Sequence, residues 1–459
     1  MKRVNDLRVM GWLGMAGVVL LTASGSLGLA APVADGSLRG DGVTETARRL
    51  TLDDCLRIGL AEATAVRNAA RDRSIADSTE GQIRARVYPQ VTADASYTRL
   101  DRLDTVDFGS ERLEVGQLDN YGAGVSVRQL LYAGGGVDAA LDAAHEFNAI
   151  ADLEVRRVRA ATARRIRTQF ADLLYLEAAL DVHRQTVAQW AATLEQTEAR
   201  FDREMASEFD VLNARVQLAN ARPMLQQASN RLAVARVAFA DLLNLEDDDY
   251  RLEGELHFDP FDDDLDALLV AATGERPELA MARHGVRLRE AEVAVERSEY
   301  RPQVNLSARY GGQQSPLDFG GGSDLEWRWS ATVRAEWAWL DGGLRRHRVR
   351  QKRLERDKAM EDYDALRRAV ALEVRQAWLE IQQAAETVQA TVDTVDLAAT
   401  SMAIAETRYR TGLITRLELS DVQMALMQAQ LNHIEALRRH VHAVNAIRYA
   451  VGREDGSAF

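Results

Sequence analysis

Apolar and polar residues alternate strictly from 327 to 339. Trp327, Trp329, Ala331, Val333, Ala335, Trp337 and Trp339 are interleaved with Arg328, Ser330, Thr332, Arg334, Glu336 and Ala338, so a strand here has one greasy and one wet face. The same period runs through Val304, Leu306, Ala308 and Tyr310, through Val91, Ala93, Ala95 and Tyr97, and through Tyr121, Ala123, Val125 and Val127. Four strands are predicted, at about 90–99, 120–132, 303–312 and 326–340. Their length, with aromatics at the ends of the apolar face, suits tilted strands in a bilayer; an amphipathic sheet packed on a core is the alternative. Four strands are too few to close a barrel, since small transmembrane barrels have about eight. In lipid, several chains must share one barrel, because open edges do not occur there.

A seven-residue period dominates the rest of the chain. It passes through Ile166, Leu173, Leu180, Val187, Leu194 and Phe201, then through Val374, Ile381, Val388, Val395, Met402 and Tyr409, all apolar. A sustained heptad demands 3.5 residues per turn and left-handed supercoiling against neighbours. Two long helices are predicted, over 136–203 and 344–410, each about 100 Å long at 1.5 Å per residue. The chain turns near 202–209 and 411–417 and returns through helices at 208–245 and 415–451, the first kinked at Pro223. Residues 53–88 and 265–300 are also helical, with a start or break at Arg276-Pro277 in the second.

These patterns occur twice. Pro89–Tyr97 and Pro302–Tyr310 share five of nine residues at an offset of 213, and Gly134-Gly135 returns as Gly342-Gly343 at an offset of 208. The hairpin loops thus differ by five residues while the long helices keep register. Two repeats follow, 31–249 and 250–459, joined by an acidic stretch from Glu246 to Asp264 that reads as a solvated connector.

Composition narrows the function classes. The chain is rich in Ala, Leu, Arg and Glu, and proline is absent from 90 to 222 and from 317 onward, which favours long helices. Lys2, Arg3 and Arg8 precede an uncharged run, Val9–Ala31, with small residues at Gly28 and Ala30. Residues 1–30 read as a secretory signal, with an uncleaved anchor as the alternative. Its removal takes three basic and one acidic side chain from a net charge of −13, leaving about −15; an acidic exported chain is not a nucleic-acid binder. The one cysteine, Cys55, lacks a lipoprotein cleavage box and has no partner for an intrachain disulfide.

The motifs resemble the TolC-like outer-membrane efflux proteins. The resemblance rests on the duplicated unit, the Tyr88-Pro89-Gln90-Val91 and Arg301-Pro302-Gln303-Val304 strand entries, the exits at Leu131–Gly135 and Trp339–Gly343, and Tyr409-Arg410-Thr411-Gly412 at a turn. It implies a mainly α fold with a β-barrel contribution: a homotrimer whose twelve-stranded outer-membrane barrel continues into a twelve-helix periplasmic tunnel. It further implies a passive exit duct fed by a periplasmic membrane-fusion adaptor and an inner-membrane pump of RND or ABC type. Trp327, Trp329, Val333, Trp337, Trp339, Val304, Leu306 and Tyr310 would face outer-membrane lipid. A constriction at the periplasmic tip is carried over onto Glu418, Asp421 and Tyr409, with Asp210 and Asn213 at the matching first-repeat positions. Arg416 would bridge to a neighbouring subunit's carboxylate. The adaptor would meet Glu204, Met205, Ala206 and Ser207 at one tip and Gly412, Leu413, Ile414 and Thr415 at the other. This chain departs from the pattern at Ile414, where a basic residue is usual, and at Glu204, where glycine is usual.

Other classes fit less well. An enzyme is not indicated, since no nucleophile, phosphate-loop or metal-ligand pattern occurs, and no cofactor or metal is expected. His433, His440 and His442 read as surface histidines, Met424 and Met427 as packing and not copper ligands, and Gly320-Gly321-Gly322 as an outer loop. A periplasmic coiled-coil scaffold without a pore accounts for the heptads but leaves the Trp-rich strand unexplained.

Overall fold

The computed structural model describes residues 48–109, 111–115, 117–247, 249–313 and 325–453. The signal segment, Asp248 and Gly320–Gly322 lie outside the described residues. The first half runs β1 (Arg48–Leu50), α1 (Leu52–Glu62), α2 (Thr64–Ala85), β2 (Gln90–Arg99), β3 (Asp104–Phe108), β4 (Glu111–Val115), β5 (Asp119–Tyr132), α3 (Gly136–Phe201) and α4 (Glu208–Leu243). The second runs β6 (Tyr250–Leu252), α5 (Leu265–Glu275), α6 (Pro277–Ser298), β7 (Gln303–Gln313), β8 (Glu326–Glu336), α7 (Leu344–Arg410) and α8 (Arg416–Val451). The long helices have 66 and 67 residues and the return helices 36 each.

Local chemistry sets the boundaries. Gly134 and Gly135, at φ 64 and 87, and Gly342 and Gly343, at φ 64 and 92, adopt the left-handed conformation that turns each strand exit into a long helix. The short helix pairs break at Arg276, as the following proline predicts, and also at Ala63, where no proline follows. The two breaks share extended backbone (ψ 128 and 115) and are 213 residues apart, so the same backbone break forms with and without the proline. Pro223 lies inside α4, which is continuous from Glu208 to Leu243.

The heptads bury in their first halves, while Val187, Leu194 and Val395 are half-buried and Phe201 is exposed. Ile166, Leu173 and Leu180 pack with Phe170, Phe239 and Leu243 in one core, and Val374 and Ile381 pack with Ile447 and Val451 in another. Cys55 is fully buried in the first core, and burial pushes its thiol up to about 12. The acidic stretch is more than a solvated connector, because its backbone is used. β6 pairs in parallel with β1, the Asp259 carbonyl accepts from His440 at 2.9 Å, and the Asp263 carbonyl accepts from Trp378 at 3.3 Å. His440 is therefore buried, at 1% exposure, and not on the surface as its sequence context suggested. His442 pairs with Asp172 and His433 contacts Thr391.

The predicted strands form one antiparallel sheet in the order β2-β5-β7-β8, which leaves β2 and β8 as edges. Tyr310 lies opposite Val125 and Trp329, and Leu306 opposite Val333, so the apolar positions of all four strands share one face. The parallel β1/β6 pair and the β3–β4 hairpin were not anticipated; the three-residue strands carry no readable period, and the five-residue β3 and β4 do not alternate strictly. β8 stops at Glu336, four residues short of the expected end. Beyond it Trp337 donates its indole N–H to the Tyr300 carbonyl at 3.1 Å, and the Asp341 carboxylate accepts from Gly343 and Arg345 to start α7. Among the described residues no helix is long and apolar enough to cross a membrane.

The turn after α3 uses a non-glycine residue in left-handed backbone. Glu204 sits at φ 60 where the second turn has Gly412 at φ 75. Glu204→Gly should stabilise the protein by up to about 1 kcal/mol, the left-handed penalty less glycine's extra chain entropy. Denaturant unfolding at matched protein concentration checks it.

Candidate gate at the hairpin tips

Each tip is a helix end, a five- or six-residue turn and a helix start, and its polar backbone groups must find partners there. At both starts the answer is a capping box. Ser207 caps α4, and the Asp210 carboxylate accepts from the Ser207 hydroxyl at 2.7 Å and backbone N–H at 3.1 Å. Thr415 caps α8, and Glu418 accepts from its hydroxyl at 2.9 Å and N–H at 2.7 Å. Both carboxyls are held below their ordinary range by these bonds: the Ser207 hydroxyl leads at Asp210 and the Thr415 N–H at Glu418. Two of the acids expected at the constriction are thus tied into helix starts. Asp421, one turn further on, is exposed.

Tyr409 anchors a small apolar cluster at the second tip, with Met402, Ala405 and Leu419 buried and Ile414, Val422 and Leu426 packed against them. It is 7% exposed. Arg200, from the end of α3, lies over the Tyr409 ring at 4.5 Å and donates to the carbonyls of Tyr409 at 3.1 Å and Arg410 at 3.2 Å. A guanidinium there meets a ring face and the partly negative carbonyls of a helix C-terminus, of which that of Tyr409 also accepts from the Gly412 N–H at 3.1 Å. Sequence reasoning missed Arg200. The signal was available, since an arginine precedes the aromatic in both copies, Arg200-Phe201 and Arg408-Tyr409.

Arg416 is the first residue of α8 and is buried at 6% exposure. Its Nη2 reaches Asn213 Oδ1 at 3.5 Å, and its Nη1 has no partner among the described residues. Burial lowers its pKa, against the opposing charges of Tyr409 and Asp210. Arg416 and Asn213 are therefore brought together, α8 against α4 of the same chain. The expected adaptor residues stand outward: Met205 and Leu413 are 73% and 74% exposed, Glu204, Ser207, Gly412 and Thr415 are exposed, and Ala206 and Ile414 are half-buried.

At the other end, the apolar face of the sheet carries Trp327, Trp329, Val333 and Tyr310, all more than half exposed, with Val304 and Leu306 half-buried between them. Tyr310 and Trp327 stack at 5.2 Å. Trp337 and Trp339 lie past the strand end, at 60% and 84% exposure. The opposite face is polar and holds an Asp94–Arg309 ion pair at 2.6 Å, lying over Gly124, whose missing side chain leaves room for the guanidinium.

The family model for outer membrane efflux proteins matches residues 57–245 and 268–453. The chain belongs to the outer membrane efflux protein family. Its fold is similar to that of the outer-membrane channel OprN (TM-score 0.73, 20% identity, 87% of this chain and 89% of that one). It is equally similar to the outer membrane protein VceC of Vibrio cholerae (TM-score 0.73, 20% identity, 87% and 96%). The CmeC outer membrane channel of Campylobacter jejuni has TM-score 0.75 at 14% identity over 87% and 85%. No curated protein matches this efflux protein in sequence. Its place is the outer membrane, with the helical part in the periplasm.

Two outcomes follow for the tips. Arg200→Ala should uncover Tyr409 and remove the side-chain donor from two carbonyls, leaving that of Tyr409 only its Gly412 N–H, costing about 1–3 kcal/mol locally and speeding amide exchange over 409–415. Arg200→Lys should recover little of this, lacking the planar fork. Because the capping carboxyls have depressed pKa values, their stabilisation is present above the unfolded value and is lost as pH falls through the folded one. The first turns of α4 and α8 should therefore loosen below about pH 4, read as faster exchange at 207–212 and 415–420 after correction for intrinsic rates.

Proposed function

We propose that three copies of this chain form the exit duct of a tripartite efflux or type I secretion system. One observation carries the reading: a four-stranded sheet with an apolar, aromatic-rich outer face and two unpaired edges. Joined edge to edge, three such sheets give twelve strands, within the range of closed membrane barrels, and the two hairpins of each chain give twelve tunnel helices. Trp327, Trp329, Val333, Val304, Leu306 and Tyr310 then face lipid, with Trp337 and Trp339 at the inner interface, where indoles favour the headgroup level.

The duct is passive. A periplasmic adaptor meets the tips at Glu204–Ser207 and Gly412–Thr415, and an inner-membrane pump of RND or ABC type supplies the energy. The tip is the constriction. Tyr409 packs its wall, and Glu418 and Asp421, with Asp210 and Asn213 at the matching first-repeat positions, set a ring of acids and amides that favours cations. Arg416 keeps one guanidinium nitrogen for a neighbouring subunit. Opening is a repacking of tip helices favoured by differential adaptor contacts.

The protein should occur in outer-membrane fractions as a heat-dissociable trimer and conduct ions in a planar bilayer. A soluble monomer or dimer would instead support a scaffold. Glu418→Ala with Asp421→Ala should weaken cation selectivity and block by multivalent cations; unchanged selectivity would remove these residues from the constriction.

A further inference from the structure

Contacts between the two halves of one chain are a template for contacts between chains. In a ring built from a repeated unit, the step from first hairpin to second is followed by a step from that second hairpin to the first hairpin of the next chain. Residues 208 apart then occupy corresponding places. The backbone supports this pairing at the tips, where Met205 N–H donates to the Arg200 carbonyl at 2.8 Å and Leu413 N–H to the Arg408 carbonyl at 2.8 Å.

Within the chain, Arg200 covers the Tyr409 ring and caps the end of α7. Its counterpart is Arg408, which is exposed and whose guanidinium has no partner among the described residues. The counterpart of Tyr409 is Phe201, 44% exposed where Tyr409 is 7% exposed. On the return helices, Ser420 is buried at 4% while its counterpart Leu212 is 51% exposed. Apolar side chains stand uncovered at the places where the internal seam buries its own.

We propose that Arg408 docks on the end of α3 of a second copy of this chain, its guanidinium over Phe201 of the partner subunit. There it donates to the carbonyls that correspond to those Arg200 uses, on Phe201 and Asp202 of the partner subunit. This rests on the trimeric reading above. The Arg416–Asn213 contact has no such counterpart, since the corresponding positions hold Glu208 and Asp421. Apart from the Arg416 nitrogen left for a neighbouring subunit, the seam between chains is therefore tied at its tip by Arg408 and opposed by a pair of carboxylates, while the seam within each chain holds two arginine contacts. The weaker seam is the one that parts when the tip opens.

The test uses two differently tagged full-length chains, co-expressed, one carrying Asp202→Cys and the other Arg408→Cys. Cys55 is fully buried and gives no background. A short bis-maleimide applied to the purified protein should yield mixed-tag adducts as the main product. Arg200→Cys and Arg410→Cys, placed in separate chains, should yield none, because that contact lies within a chain. A trimer by light scattering without mixed-tag adducts from 202 and 408, or with equal yield from 200 and 410, overturns the inference and leaves the duct standing. A preparation that is not trimeric removes the duct reading itself, and this inference with it.

Discussion

A backbone N–H or C=O left without a partner in hydrocarbon costs several kcal/mol, and this chain carries two rows of them along β2 and β8. Everything else about the sheet is compatible with lipid. One face is apolar and aromatic, and on the other Asp94 pairs with Arg309 and Thr92 with Ser126. The proposed trimer answers the edge problem with no additional residues, because each β8 can meet the β2 of a neighbour. In the proposed duct, backbone satisfaction dictates assembly, and assembly in turn decides how the helices can be arranged.

The helical hairpins face the same accounting in water. Four N–H groups are orphaned at each helix start and four carbonyls at each helix end, and a tip crowds one of each into a few residues. The starts are satisfied locally by Ser207 with Asp210 and by Thr415 with Glu418. The end of α7 is satisfied at longer range by Arg200. Asp210, Glu418 and Arg200 are therefore structural before they are electrostatic, and any role of the two acids in selecting ions is added to capping duties already assigned.

Periodic signals were legible in the sequence, and pairwise ones were not. The strands and long helices sat close to where periods of two and seven put them, because burial acts on every turn and every second residue alike. β6 was too short to show a period, and β3 and β4 do not alternate strictly. The break at Ala63 lacked its proline, and His440 looked like a surface residue until the acidic stretch folded over it. At the tips the residue types were readable but their partners were not: Arg416 meets Asn213 across 203 residues of sequence, and Arg200 meets Tyr409 across 209. A chain that folds back this far hides such pairs unless the repeat is used to look for them.

The equal rods set a rule for how such a protein can change size. One extra residue in α3 would advance the chain by about 1.5 Å and rotate everything beyond it by roughly 100°, turning Ile166, Leu173 and Leu180 out of the core they share. Only insertions of a whole heptad, about 10 Å, keep the buried stripe facing its neighbours. They would have to be made in both rods and both return helices together. The span of the helical part is in that sense quantised, while the loops beyond the sheet, which already differ by five residues between halves, can vary one residue at a time.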